Sequence, residues 1–235
     1  MFDFHLHLAR ISSPTEAGAA LLQEGCGFNS IACEPWEWEL NLKLMENLKG
    51  KGCGVSHEQY ASTRWFFGIH PMIATRVNEK DWRRLEEILR NGPDVQVGEC
   101  GLDKRFDGYE DDGPQDRALR KQLELAAELS REVQIHCVGD YGRIIRLVQQ
   151  YQTLPQVVFH RFGGDISVVK SAIKLLGERA IFSLHADSFR KKSTAEAIRE
   201  IPHSQVRFET DGDDESWTTE RIISELRRFQ QAKDS

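Results

Sequence analysis

Residues 2–8 have the sequence FDFHLHL, whose alternation of apolar and polar side chains predicts a β-strand with two different faces. Successive side chains of a strand point to opposite faces, so His5 and His7 share one face with Asp3. With a rise of about 3.3 Å per residue, both imidazoles can reach a single ion. The other face is apolar, and a layer of helices would bury it. We therefore interpret one face of this strand as part of the core and the other face as part of a metal site.

Other apolar, strand-like runs also end in a residue type that binds divalent metals. They are Glu99 in VQVGECGLD, His136 in VQIHC, His160 in QVVFH and Asp211 in VRFETD. Imidazoles and carboxylates are natural ligands of Zn²⁺ and similar ions, and together with His5 and His7 they supply enough donors for two ions. Burying ionisable groups at so many strand ends is costly unless they are paired or bound to metal. The repetition predicts a metallohydrolase.

Apolar strands alternate with amphipathic helical stretches along the whole chain. The pattern predicts strands at residues 2–8, 28–33, 64–70, 95–101, 133–138, 156–161, 180–185 and 205–211. It predicts helices at residues 36–49, 79–91, 114–131, 140–151, 165–176, 193–200 and 217–231. Eight alternations with short loops indicate a parallel sheet, and at 235 residues we expect a single-domain (β/α)8 TIM barrel over residues 1–235. Active sites of such barrels lie at the carboxyl ends of the strands, where the metal-ligand candidates fall.

The composition is typical of a globular enzyme, with 40% hydrophobic and 29% charged residues and no apolar run that could span a membrane. We expect a cytoplasmic protein, because the first residues enter a strand rather than a signal peptide. The five cysteines form no CxxC pair, which favours neither a disulfide framework nor a structural zinc site. The net charge of -6 argues against a broad basic surface for duplex nucleic acid. Phosphate substrates stay open, because bound ions can outweigh the charge of the chain.

Several short motifs follow one another in an order that is more specific than any one of them. They are HLH at 5–7, GIHP at 68–71, GECGLD at 98–103, IHC at 135–137, HRFG at 160–163 and ETD at 209–211. This order resembles that of the TatD-type metal-dependent hydrolases. That family belongs to the amidohydrolase-like barrels and includes deoxyribonucleases. The resemblance spans nearly the whole chain.

The resemblance implies a site for two divalent ions, which would be Zn, Mg or Mn. One ion would be held by His5, His7, Glu99 and Asp211, and the other by Glu99, His136 and His160, with Glu99 bridging. His70, from the GIHP motif, would contact substrate near the site. The substrate would be DNA or another phosphodiester.

The chemistry of such a site assigns roles to further residues. Two ions about 3.5 to 4 Å apart can clamp both oxygens of a phosphoryl displacement and lower the pKa of bound water. Asp211 ends the last strand and is expected to accept the proton of that water. Arg161 follows a ligand and is expected to bind substrate phosphate. Glu209 and Arg207 share a face with Asp211, either as a buried ion pair or as outer partners of the site, and Asp3 could accept an imidazole N–H.

The chain departs from the family's motifs at three places. Ala9 replaces the acid that often follows HxH, and Met72 stands where a second histidine is common after GxHP. After ETD, the residues Gly212 to Glu215 replace an apolar lip with acidic side chains, which would repel a polyanion. Three functions therefore compete: a phosphodiesterase or nuclease, an amide or ester hydrolase of a small molecule on the same metals, and a catalytically silent metal-binding protein that acts through a partner.

Overall fold

A computed structural model describes residues 1–234, in which eight parallel strands form one sheet that follows the order of the chain. The strands are β1 (Phe2–Leu6), β2 (Gly27–Ala32), β3 (Thr63–Phe67), β4 (Val95–Asp103), β5 (Val133–Val138), β6 (Val157–Phe159), β7 (Ala180–Leu184) and β8 (Val206–Phe208). The helices are α1 (Pro14–Gln23), α2 (Pro35–Lys49), α3 (His57–Tyr60), α4 (Glu79–Asn91), α5 (Pro114–Glu128), α6 (Tyr141–Val148), α7 (Ile166–Leu176), α8 (Lys192–Ile198) and α9 (Thr219–Asp234). In this part of the chain no helix is both long and apolar enough to cross a membrane.

The architecture is the single-domain (β/α)8 barrel that the sequence predicted. All eight predicted strands are present, but β1, β3, β6 and β8 each end two or three residues before the predicted end. As a result His7, His70, His160 and Asp211 lie in the connections that follow these strands. No helix was predicted at α1 or α3. In α1 the residues 17–20 are alanine and glycine, which weakens the periodic signal of its two leucines, and α3 is a single turn. The last residue of the predicted domain, Ser235, lies outside the described residues.

The barrel closes between its first and last strands. The amide of Asp211 donates to the His5 carbonyl at 2.9 Å, and the amide of His7 donates to the Gly212 carbonyl at 3.0 Å. The buried carboxyl group of Asp3 accepts from the Thr210 amide at 3.0 Å and from the Thr210 hydroxyl at 2.5 Å. The sequence suggested that Asp3 could accept an imidazole N–H, but the structure pairs it with Thr210 instead. Asp3 thereby fixes the residues after β8 against β1.

The side chains of the sheet separate into an apolar outer layer and an interior that holds both polar and apolar residues. Leu6, Phe28 and Ala32 are buried among the helices, whereas His5 and Gln134 are fully buried inside the barrel. Interior polar groups such as Asn29 and Gln134 hydrogen-bond to strand β1.

Gly101 allows β4 and β5 to approach closely beside the site. Its backbone has φ +157°, and a Cβ at this position would lie 1.9 Å from the His136 carbonyl oxygen. Any other residue would therefore push β5 and its histidine away.

Candidate metal centre

The six predicted ligands come together at the carboxyl ends of the strands. Five of them line a cleft of about 830 Å³, namely His7, Glu99, His136, His160 and Asp211. His5 is fully buried directly beneath them. Parallel strands of one barrel bring their carboxyl ends to the same edge, which is why residues more than 200 positions apart can meet.

The donor atoms of His5, His7 and Glu99 have the spacing of a metal site, and Asp211 lies beside them. His5 Nε2 lies 3.3 Å from His7 Nε2 and 3.5 Å from Glu99 Oε2. Asp211 Oδ1 lies 3.8 Å from His5 Nε2 and 3.7 Å from His7 Nε2. A tetrahedron with metal–ligand bonds of about 2.0–2.2 Å has edges of roughly 3.3–3.6 Å. The donors of His5, His7 and Glu99 fit this spacing, whereas the Asp211 oxygen lies slightly outside it. The chemistry of all four donors suits a divalent ion.

The second oxygen of Glu99 faces a second group of imidazoles. Oε1 lies 2.6 Å from His136 Nδ1, 3.4 Å from His160 Nε2 and 3.6 Å from His70 Nε2. The two oxygens of one carboxylate therefore face two separate sets of nitrogens, which is the arrangement that a bridging ligand requires.

His160 lies between the two groups. Its ring stacks on His5 with centroids 3.6 Å apart, and its Nε2 is 4.0 Å from Asp211 Oδ2. By the proximity of donor atoms, His160 groups with His5 and Asp211, while His70 joins Glu99 and His136. The resemblance had placed His160 in the second group and His70 outside the ligand set.

The imidazoles keep Glu99 ionised. Burial alone would raise the pKa of this carboxyl group, but the neighbouring His160 and the hydrogen bonds from His136 and His5 outweigh burial and hold its pKa well below the usual range. A buried carboxylate among several histidines is stable only when positive charge is close to it. The centre is therefore suited to cations whether they are protons or metal ions.

Three of the histidines are oriented through their other ring nitrogen. His5 Nδ1 lies 2.5 Å from Gln134 Oε1, His136 Nε2 lies 2.9 Å from Asp103 Oδ2, and His160 Nδ1 lies 2.9 Å from Glu209 Oε1. An oxygen at one ring nitrogen holds the proton there, so once the ring is neutral the other nitrogen, which faces the centre, is the one free to bind an ion.

Sequence reasoning did not find Gln134 or Asp103, although strand alternation carried the signal. Gln134 precedes His136 by two residues, and Asp103 follows Glu99 by four, so each lies on the same face as a ligand. For Glu209 the sequence left two readings open. Arg207 instead donates to the Ser204 and Val206 carbonyls, so Glu209 is a partner of the site rather than of that arginine.

The His70 ring is neutral and can donate a hydrogen bond into the cleft. Its Nδ1 accepts the Met72 amide at 3.0 Å, and burial lowers the pKa of the ring to about 3. A neutral ring that accepts at Nδ1 carries its proton on Nε2, the nitrogen that faces Glu99. His70 therefore offers an N–H to the cleft and is poorly suited to act as a ligand through that nitrogen.

Arg161 reaches over the centre from the end of β6. Its guanidinium donates to Asp211 Oδ2 at 2.7 Å and also to Asp187, and its amide donates to Glu209 Oε1 at 2.6 Å. Arg161 and Asp211 both have left-handed backbones, with φ of 44° and 51°, which is uncommon outside glycine and typical of functional sites. Sequence reasoning missed Asp187, which lies in the loop after β7.

A third cluster of ligand-type atoms beside the centre consists of His7, Cys33 and Glu37. Arg10 already donates to Glu37 and, at 3.4 Å, to Cys33 Sγ. Glu37 also accepts the amides of Cys33 at 2.6 Å and Glu34 at 3.0 Å, which caps the start of α2. The positive charge of Arg10 opposes a further cation, so this cluster is a helix cap with a buried ion pair.

The cleft around the centre carries both signs of charge. Its basic lining residues are Arg10, Lys104, Arg105, Arg161 and Lys191, and Asp187 and Asp213 are among its acidic ones. Of the three acidic residues of the predicted lip, Asp213 lines the cleft, whereas Asp214 and Glu215 are not among its lining residues. The other departures lie nearby: Met72 lines the cleft and Ala9 is buried.

The chain is a parallel eight-stranded barrel that carries imidazoles and carboxylates near the carboxyl ends of its strands. It therefore belongs to the class of barrel proteins with a candidate metal centre at that end. The family described as TatD related DNase matches residues 2–222. The chain therefore belongs to this family, as the motif order predicted.

Individual relatives and solved structures agree with this membership. The chain is 32% identical over 145 residues to a protein of Edwardsiella piscicida named 3'-5' ssDNA/RNA exonuclease TatD, covering 61% of this chain and 55% of that one. It is 28% identical over 148 residues to the human 3'-5' RNA nuclease TATDN2, covering 62% of this chain and 19% of the human one. The chain thus spans about half the length of the bacterial relative. The crystal structure of YJJV, a TatD homologue of Escherichia coli K12, has the same fold, with a TM-score of 0.72 and 22% identity over 90% of this chain and 78% of that one.

Proposed function

We propose that this chain is a divalent-metal-dependent phosphodiesterase that acts on single-stranded nucleic acid. Membership of the TatD related DNase family supports the reaction, and the names of the relatives, a 3'-5' ssDNA/RNA exonuclease and a 3'-5' RNA nuclease, support the substrate class. Single strands also suit the net charge of -6, because a cleft can take one strand without a broad basic surface.

The observation that carries the proposal is the position of Glu99, whose two oxygens face two groups of imidazoles. His5, His7, Glu99 and Asp211 would hold one ion, and Glu99, His136 and His160 would hold the other. When bound, two such ions polarise the phosphoryl group and lower the pKa of water. The identity and the number of the ions are part of the proposal.

Three side chains of the cleft would act on the substrate directly. Asp211 would accept the proton of the attacking water, because its carboxylate borders both the cleft and the donor atoms of the first group. His70 would donate a hydrogen bond from its Nε2–H to a phosphate oxygen. Arg161, whose guanidinium has five N–H donors, would pair with the same phosphate and in doing so release Asp211 from their mutual ion pair.

The experiment is a substrate panel with purified protein, first stripped with EDTA and then given Mn²⁺, Mg²⁺ or Zn²⁺. End-labelled single-stranded DNA and RNA, duplex DNA, and chromogenic amide and ester substrates are compared. We expect metal-dependent cleavage of the single strands and none in EDTA. A Glu99→Ala variant should be inactive, and Glu87→Ala, which removes an exposed carboxylate of α4, should match wild type.

Two outcomes would contradict the proposal in different ways. Hydrolysis of amides or esters without cleavage of any oligonucleotide would establish the small-molecule hydrolase instead. Tight metal binding without hydrolysis of any substrate would favour the silent metal-binding protein.

A cytoplasmic location is part of the same proposal. All five cysteines are free thiols, which suits a reducing compartment.

A further inference from the structure

The segment that follows GECGLD places an aromatic ring in the cleft beside the candidate centre. Phe106 is partly buried and lines the cleft, and its ring centroid lies 6.2 Å from that of His70. His70 is the residue with an N–H directed at the centre. A phenyl ring has no polar atom to serve the reaction, so its contribution in this position is an apolar surface with a π-face.

The other aromatic residues of the cleft lining are committed to the fold. Tyr141 accepts the Gly163 amide through its hydroxyl at 2.9 Å and packs on Phe162 with centroids 5.4 Å apart. Phe162 is fully buried. Of the three Phe and Tyr residues in the lining, Phe162 is buried and Tyr141, although partly exposed, is fixed by its hydroxyl, so Phe106 is the partly exposed ring without such a hydrogen bond.

Positive charge accompanies the ring. Lys104 and Arg105 directly precede it and line the same cleft, and the Arg105 guanidinium carbon lies 5.8 Å from the Phe106 centroid. Arg105 donates to both oxygens of the buried Asp103, at 2.9 Å and 2.5 Å. Because Asp103 also contacts His136, this segment is tied to the centre and its ring is held at a fixed distance from it.

An aromatic ring flanked by cations is the combination by which proteins hold single-stranded nucleic acid, since bases stack on the ring and phosphates pair with the cations. We propose that Phe106 is the stacking platform for a nucleobase next to the phosphate that occupies the centre, with Lys104 facing the adjacent phosphate. This assignment rests on the proposed function and makes Phe106 a specificity-determining residue for nucleotides over other phosphodiesters.

The test separates the base from the phosphate. Steady-state cleavage is measured on a short oligothymidylate and on the same oligonucleotide with abasic nucleotides at its two 3′-terminal positions, with saturating Mn²⁺. Stacking is typically worth about 1–3 kcal/mol per base, so wild type should have a KM roughly 5- to 150-fold lower for the normal oligonucleotide. Phe106→Ala should remove this preference by raising the KM of the normal oligonucleotide, with little change for the abasic one.

Two further variants keep the test independent of folding. Phe106→Leu keeps an apolar side chain without a π-face and should behave like Phe106→Ala, whereas Phe106→Trp should restore the preference. Trp36→Ala is the matched control, because Trp36 is an exposed aromatic residue, 53% accessible, that follows β2 and is not among the lining residues. It should leave the preference unchanged.

The outcomes distinguish this assignment from the proposed function. If wild type cleaves the oligonucleotides and Phe106→Leu keeps the full preference for the normal one, the stacking role is wrong while the nuclease stands. The stacking role is also wrong if Phe106→Leu weakens cleavage of the normal and the abasic oligonucleotide by the same factor. If wild type cleaves neither oligonucleotide, the proposed function fails and this assignment fails with it.

Discussion

Replacing Gln134 with Leu tests whether an outer partner sets the metal affinity of His5. Gln134 is buried inside the barrel, and its Oε1 lies 2.5 Å from His5 Nδ1, while its amide nitrogen donates to the Phe4 carbonyl at 2.8 Å. Leu has a similar volume but no acceptor. The His5 Nδ1–H would then be buried without a partner, or its proton would move to Nε2, the nitrogen that must be free to bind an ion.

The magnitude follows from these contacts. A buried donor without a partner costs about 1–3 kcal/mol, and loss of an outer partner usually lowers metal affinity about 10- to 100-fold. Overall stability should change less, because Asn29 also donates to the Phe4 carbonyl, at 2.9 Å, and keeps that group satisfied. We therefore expect Gln134→Leu to bind the metal ion more weakly while its fold stays largely intact.

The assay is calorimetric titration of Zn²⁺ or Mn²⁺ into EDTA-stripped, dialysed protein, with urea unfolding of the metal-free form beside it. Asn29→Leu is the matched control, since it removes the other donor to Phe4 without touching His5. Gln134→Glu restores an oxygen acceptor and should recover most of the affinity. Equal metal affinity in wild type and Gln134→Leu, or an equal loss in Asn29→Leu, would refute the reasoning.

Three further predictions concern residues of β1 and β4 and the segment that follows β8. Glu99→Ala leaves two groups of imidazoles without an anion between them, so metal analysis should show at least one ion fewer per chain than in wild type; an undiminished ratio would argue against bridging. Asp211→Asn keeps one oxygen but cannot accept a proton, so it should retain much of its metal while phosphodiester cleavage falls about 10²- to 10⁴-fold; a variant with full rate and full metal would exclude Asp211 as the base. Burial raises the pKa of Asp3 from 3.8 to about 7, so its folded form holds a proton that the unfolded chain has lost, and its contribution to stability disappears as pH rises through this range. Asn cannot ionise, so the free energy of unfolding of Asp3→Asn should rise relative to that of wild type between pH 4 and pH 7, as measured by urea unfolding with saturating metal. A constant difference in this free energy would mean that Asp3 is ionised throughout the range.

The sequence by itself was sufficient for the barrel and for the ligand candidates. Period-two alternation in FDFHLHL and apolar runs between amphipathic stretches are local signals, and they do not depend on which strands meet in space. Strand ends that carry His, Glu or Asp follow from the same local pattern, because the last residues of a barrel strand face the site. The order of the motifs then led to the family.

Only the tertiary structure decided which atoms face each other. The pairing of Gln134 with His5 joins residues 129 positions apart, and the pairing of Asp3 with Thr210 spans 207. Hydrogen bonds across the barrel depend on the register of strands and on its closure, and no local pattern contains these. For the same reason the sequence assigned Asp3 to an imidazole and left Glu209 between two partners. The ring nitrogen that each histidine turns toward the centre, and the Phe106 ring beside His70, are likewise set by contacts between elements distant along the chain.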